Sequence, residues 1–131
     1  MRRKGRRGPA LIIAHGLALT AMLGGCDNTQ TVSLTAEDFR FVPDRLRVSA
    51  SAPLTLTVYN AGRETHEFDS PLLLYAATRS APREKTESAG SGLVLPPGKS
   101  LRLIVAPPPG TYLYICRRKG HADMAGTLIV E

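Results

Sequence analysis

The C-terminal stretch YICRRKGHADMAGTLIVE (residues 114–131) sets a lone thiol, an imidazole and a thioether in one loop between two strand-like runs. Cys116 ends the first run, His121 follows five positions later, and Met124 comes three after that. The flanking segments are short and rich in β-branched and aromatic residues, as strands are. Thiolate, imidazole and thioether side chains share one property, affinity for soft or borderline metal ions.

An inventory of such donors sharpens this. The chain holds two Cys, three His and three Met. Met1, His15, Met22 and Cys26 all lie in the first 26 residues. The remainder keeps Cys116, His66, His121 and Met124, and three of these four fall within nine residues. Exported proteins usually pair their cysteines, so a single thiol needs a reason to stay reduced, and a bound metal is one. One Cys, two His and a weak thioether form the ligand set of a blue-copper site.

The N-terminus reads as an export signal. The basic segment MRRKGRR precedes the apolar ALIIAHGLALTAML (residues 10–23), which is short for a membrane span. LGGC (residues 23–26) resembles a bacterial lipobox, which implies lipidation of Cys26. The expected organisation is a lipoprotein-type signal peptide over 1–25, a lipidated Cys26 with a polar tether over 26–30, and one domain over 31–131. Localisation is then periplasmic or on the cell-surface side, at a membrane held through the lipid. Asp27 after the cysteine resembles an inner-membrane retention signal. The leader also explains the charge. Removing residues 1–25 takes five of the 17 basic residues and none of the 11 acidic ones, so the net charge falls from +6 to +1. A nucleic-acid partner is not implied, and a monomer is expected.

Beyond the tether the chain has the grammar of an all-β domain. VSLTAEDFRF, RLRVSA and LTLTVYN are strand-like, and NAGRE is a turn signal. GLVLPPGKSLRLIVAPPPGTYLYIC gives three more runs cut by PPG and PPPG. This spacing predicts a β-sandwich with Greek-key connections. The exception is SPLLLYAATRSAPREKTESAGSG (residues 70–92), where Pro71 and LLLYAAT predict a short helical turn, followed by a polar surface excursion.

At this point the chain resembles the cupredoxin family. The C-terminal stretch is similar to the family's Cys–His–Met ligand loop, and NAGRETHEF (residues 60–68) to the segment that carries its first His. FRFVPDRLRVSASAPLTLTVYN resembles the N-terminal strands, and LPPGKSLRLIVAPPPGTYLYIC the hairpin leading to the Cys; HEFDSPLLL is similar to a subgroup of small exported bacterial domains. The resemblance covers residues 31–131. It implies an eight-stranded sandwich, one copper ion at its end, His66, Cys116 and His121 as ligands, and Met124 as the axial ligand. The family commonly spaces that Met four or five residues after the His, and here it is three. Arg117, Arg118 and Lys119 flank His121 and are expected to dock an acidic partner.

Several functions use such donors. An electron carrier without enzymatic activity is the leading expectation. A copper- or iron-handling domain that passes metal to a partner is the second. A structural zinc site built from His66, Cys116, His121 and Asp123 is a third. A Cys–His nucleophilic enzyme is the weakest, because no oxyanion hole is suggested and the Cys ends a strand. Glu67 and Asp123 are expected to be solvated.

Overall fold

The computed structural model describes residues 28–80 and 92–131. The expected signal peptide, Cys26 and the part of the polar excursion over 81–91 lie outside these residues. Among the described residues, no helix is long and apolar enough to cross a membrane.

Period-2 alternation builds most of the strands. In β8 (Ser100–Val105), Leu101, Leu103 and Val105 are buried, while Ser100 and Arg102 face solvent. They meet Val58, Leu56 and Leu54 of β4 (Leu54–Asn60) directly across an antiparallel ladder. β1 (Gln30–Glu37) runs parallel to β4 on its other side, and β6 (Ala76–Ser80) pairs with β8. With β2 (Arg40–Val42) at the far edge, the first sheet has the order β2-β1-β4-β8-β6.

The second layer combines β3 (Arg45–Val48), β10 (Ala125–Val130) and β9 (Gly110–Ile115) in the order β3-β10-β9. A two-stranded ladder of β5 (His66–Phe68) and β7 (Leu93–Leu95) joins it through an antiparallel bridge between Asp69 and Ile115. The β1–β4 and β3–β10 pairs are parallel although the chain runs between the layers in each case. Such pairing needs crossovers, as the Greek-key expectation requires.

Two elements differ from expectation. The run VSLTAEDFRF is a hairpin, β1 and β2 joined through Asp38 and Phe39, because the buried set shifts phase from Leu34 and Ala36 to Phe41. The expected short helical turn is present as one 3₁₀ turn (Pro71–Tyr75), begun by the Ser70 hydroxyl accepting the Leu72 N–H, but Ala76–Ser80 after it is strand β6 and not part of a surface excursion. Only Leu72 and Leu73 of that turn are buried, so no apolar stripe extends it into a helix. The described residues therefore carry ten strands where the resemblance implied eight.

The core closes toward one end of the sandwich with an aromatic cluster. The Tyr114 ring stacks on Phe68 (centroids 5.9 Å apart) and meets Phe41 edge-on (5.3 Å). Its hydroxyl donates to the Pro43 carbonyl at 3.0 Å. Burial, followed by the Asp44 carboxylate, pushes this phenol up to about 12, so it remains a donor. Gly126 lies opposite Tyr114 in the β9–β10 register, directly against the ring. A Cβ at this position would overlap ring atoms that Phe68, Phe41 and Pro43 hold in place. Gly126→Ala should therefore lower the unfolding free energy by about 1–3 kcal/mol, the usual cost of overpacking, measured by urea titration. An unchanged midpoint would mean that the ring slides freely.

Candidate metal centre

The site forms where β5, the end of β9 and the 116–124 loop converge. It begins with Asn60, which ends β4 and is fully buried. Its side-chain NH₂ donates to the carbonyls of Glu64 and Leu95, each at 2.8 Å, and its Oδ1 accepts the Gly62 N–H at 2.8 Å. The backbone N–H and C=O of Asn60 bond Lys99 and Gly98. A buried amide with all these bonds made holds the 61–65 loop in one shape and delivers His66 to the start of β5.

From the other side, β9 delivers Cys116. Asp69 and Ile115 exchange both backbone hydrogen bonds, at 3.0 and 2.9 Å. This pairing brings β5 alongside the end of β9, so the Glu67 N–H donates to Cys116 Sγ at 3.4 Å. Glu67 was expected to be solvated, but its residue is only 5% exposed, because β5 is enclosed by β7 and by the bridge to β9. Asp123, also expected to be solvated, is exposed.

The ligand loop folds as two successive turns. The His121 N–H donates to the Arg118 carbonyl at 3.1 Å, and the Met124 N–H to the His121 carbonyl at 3.0 Å. The Cys116 N–H then closes the loop on the Met124 carbonyl at 2.9 Å. The two-residue gap between His121 and Met124 is thus spanned by one tight turn with Ala122 and Asp123 at its exposed tip. The Met124 side chain is buried and joins the hydrophobic core.

These elements bring His66, Cys116 and His121 together, all three buried, with ligand atoms within 4.8 Å of one another. His66 Nδ1 and His121 Nδ1 are 3.2 Å apart, and Cys116 Sγ is 3.5 Å from His121 Nδ1. Metal–nitrogen bonds of about 2.0 Å and metal–sulfur bonds of about 2.3 Å set donors roughly 3.3–3.6 Å apart around one ion. The His66–His121 and Cys116–His121 pairs therefore have the spacing of donors on a single ion. Burial, and then the neighbouring His121, holds the His66 imidazole below its ordinary value, so near neutral pH its ring is uncharged and able to ligate. Asp123 does not belong to this group among the described residues, which removes the fourth ligand of the zinc reading.

Two neighbouring residues were not foreseen. Asp38, in the β1–β2 turn, lies with Oδ1 3.7 Å from His66 Nε2. Phe39, in the same turn, meets the His121 ring edge-on with centroids 5.1 Å apart, at a φ of +69°. The phase shift between Ala36 and Phe41 was the signal that a turn lay there. Of the three cations after Cys116, Arg117 pairs with the Asp69 carboxylate, which also raises its pKa. Arg118 and Lys119 are exposed and enter no ion pair among the described residues.

The profile of the cupredoxin-like domain matches residues 10–130. No curated protein sequence matches the chain. Among solved structures, auracyanin B is 28% identical with a TM-score of 0.56, over 78% of this chain and 88% of that one. Auracyanin A of Chloroflexus aurantiacus, described as a "blue" copper protein, is 24% identical with a TM-score of 0.55, over 79% and 99%. A dithionite-reduced auracyanin of the photosynthetic bacterium Roseiflexus castenholzii is 19% identical with a TM-score of 0.56, over 78% and 97%. The last two show likeness of fold alone. With the profile spanning nearly the whole chain and the sandwich built as described, this protein belongs to the cupredoxin-like family.

Proposed function

We propose that the chain is an exported, lipid-anchored electron carrier that holds one copper ion through His66, Cys116 and His121, with Met124 as the axial ligand. The observation that carries this reading is the convergence of one thiol and two imidazoles, all buried, within 4.8 Å. The auracyanins, which share the fold, include a "blue" copper protein. Copper, when bound, supplies a one-electron couple between Cu(I) and Cu(II).

The protein's part is to keep the donors where neither oxidation state alone would put them. Cys116 gives a thiolate, whose charge the Glu67 N–H partly offsets. His66 is fully enclosed, which excludes water from that side, while His121 lies beneath the partly exposed Phe39. The electron is expected to pass through this thinner cover. An electron carrier transforms no substrate, so no enzymatic activity is assigned. Burial of all three donors disfavours the alternative of copper or iron handling, since cargo has to leave its site. The anchor rests on LGGC: Cys26→Ser should move the protein from the membrane fraction to the soluble one, and a native protein that is wholly soluble rejects it.

The ligand series tests the centre. Copper-loaded protein should show an intense thiolate-to-copper band in the visible. Cys116→Ser should abolish it, since a hydroxyl is neither anionic nor soft at neutral pH. His66→Ala and His121→Ala should each weaken copper binding. Met124→Leu should keep the copper and its colour but raise the potential, because an axial donor favours Cu(II). An unchanged potential, with a stability loss under about 1.5 kcal/mol, would make Met124 a packing residue. Unchanged colour in Cys116→Ser would reject the copper reading.

The partner is read as an acidic redox protein drawn to the cations beside His121. Arg117 is matched by Asp69, so the steering charge belongs to Arg118 and Lys119. Replacing both with Gln should slow electron exchange with hexacyanoferrate several-fold at low salt, and high salt should erase the difference. Arg117→Gln should slow it less. A rate indifferent to substitution and salt would leave these cations without a docking role.

A further inference from the structure

The β1–β2 turn places a carboxylate behind a ligand. His66 turns Nδ1 toward His121 and the cluster, which leaves Nε2 on the far side of the ring. When one ring nitrogen gives its lone pair to a metal, the other carries the proton and becomes a donor. Here that nitrogen is buried and has no hydrogen-bond partner, while Asp38 Oδ1 lies 3.7 Å away. The gap is longer than a hydrogen bond, but only by the sub-ångström shift that a small ring rotation supplies.

Asp38 is held for this position. Its Oδ1 accepts the backbone N–H of Arg63 at 2.8 Å and of Glu64 at 3.1 Å, both in the loop that leads into His66. Its Oδ2 lies 3.5 Å from the Arg63 guanidinium. Gly62 leaves a notch for the carboxylate, since a Cβ there would overlap Oδ1. The side chain is thus tied to the loop while its own backbone sits in the turn that also sets Phe39 against His121.

The geometry points to Asp38 as the positioning residue of His66: its carboxylate accepts the Nε2–H, fixes the tautomer that offers Nδ1, and strengthens His66 as a donor to Cu(II). This rests on the blue-copper reading proposed above. A carboxylate behind a ligating imidazole raises the basicity of the ring. Such a ligand favours Cu(II) over Cu(I), so Asp38 lowers the reduction potential. It opposes the nearby cations Arg118 and Lys119, which favour the less positive state.

Asp38→Asn is the test, because the amide oxygen still accepts the loop N–H groups while the charge is lost. The full-length protein and the variant would be compared by competition titration with Cu(II) and Cu(I), by voltammetry, and by urea unfolding without metal. Cu(II) affinity should fall about 10–100-fold, as for other outer partners of ligating histidines, and Cu(I) affinity less. Each tenfold change in their ratio raises the potential by about 59 mV for a one-electron couple. A merely structural role for Asp38 would weaken both oxidation states alike and leave the potential in place. That outcome, or unchanged affinities in a variant that keeps the blue band, overturns the inference while the copper reading stands. Absence of the band from the parent overturns the copper reading, and this inference with it.

Discussion

The pairing of Asp69 with Ile115 is the constraint on which the metal centre depends. Two backbone hydrogen bonds join the short β5–β7 ladder to the end of β9. Without them His66 and Cys116, 50 positions apart in the chain, have no reason to meet. With them, the Glu67 N–H reaches the sulfur and the imidazole of His66 takes the adjacent face. The pairing lies at the edge of the core, next to the Phe41–Phe68–Tyr114 cluster, so packing of the sandwich and geometry of the ligands are coupled.

Around this stitch, polar groups do the shaping. Asn60 makes bonds to Glu64, Leu95 and Gly62 through one buried amide, and so sets the loop that carries His66. Asp38 grips the same loop from outside through Arg63 and Glu64. Two residues from two different strand ends thus define one short segment. The buried Asn60 amide, with its bonds made, resists distortion of that loop, and this suits a centre whose donors have to move little when an electron arrives or leaves.

The charges near the site divide into two kinds. Arg117 folds back on Asp69, beside the stitch, and contributes to local structure. Arg118 and Lys119 are exposed on the loop that bears His121 and enter no ion pair among the described residues. Adjacent residues of one sequence run therefore take different surroundings, and only the fold separates them.

The donor inventory and the sandwich were legible in the sequence. Cys116, His121 and Met124 lie in one loop, so their neighbourhood follows from chain connectivity, and the recurrence of Leu54, Leu56 and Val58 in LTLTVYN and of Leu101, Leu103 and Val105 in SLRLIV marks a buried face. His66 was legible because a turn signal and a strand bracket it. The hairpin hidden in VSLTAEDFRF was not, since Phe39 occupies a left-handed turn position that sequence preference assigns to Gly or Asn. Nor was the burial of Glu67, because β5 is covered by β7 and β9, strands 26 or more residues away. The sequence by itself thus determined which atoms are available to bind a metal. Tertiary structure alone decided which of them converge, which N–H faces the sulfur and which carboxylate stands behind His66, because those distances depend on how two sheets cross and not on spacing along the chain.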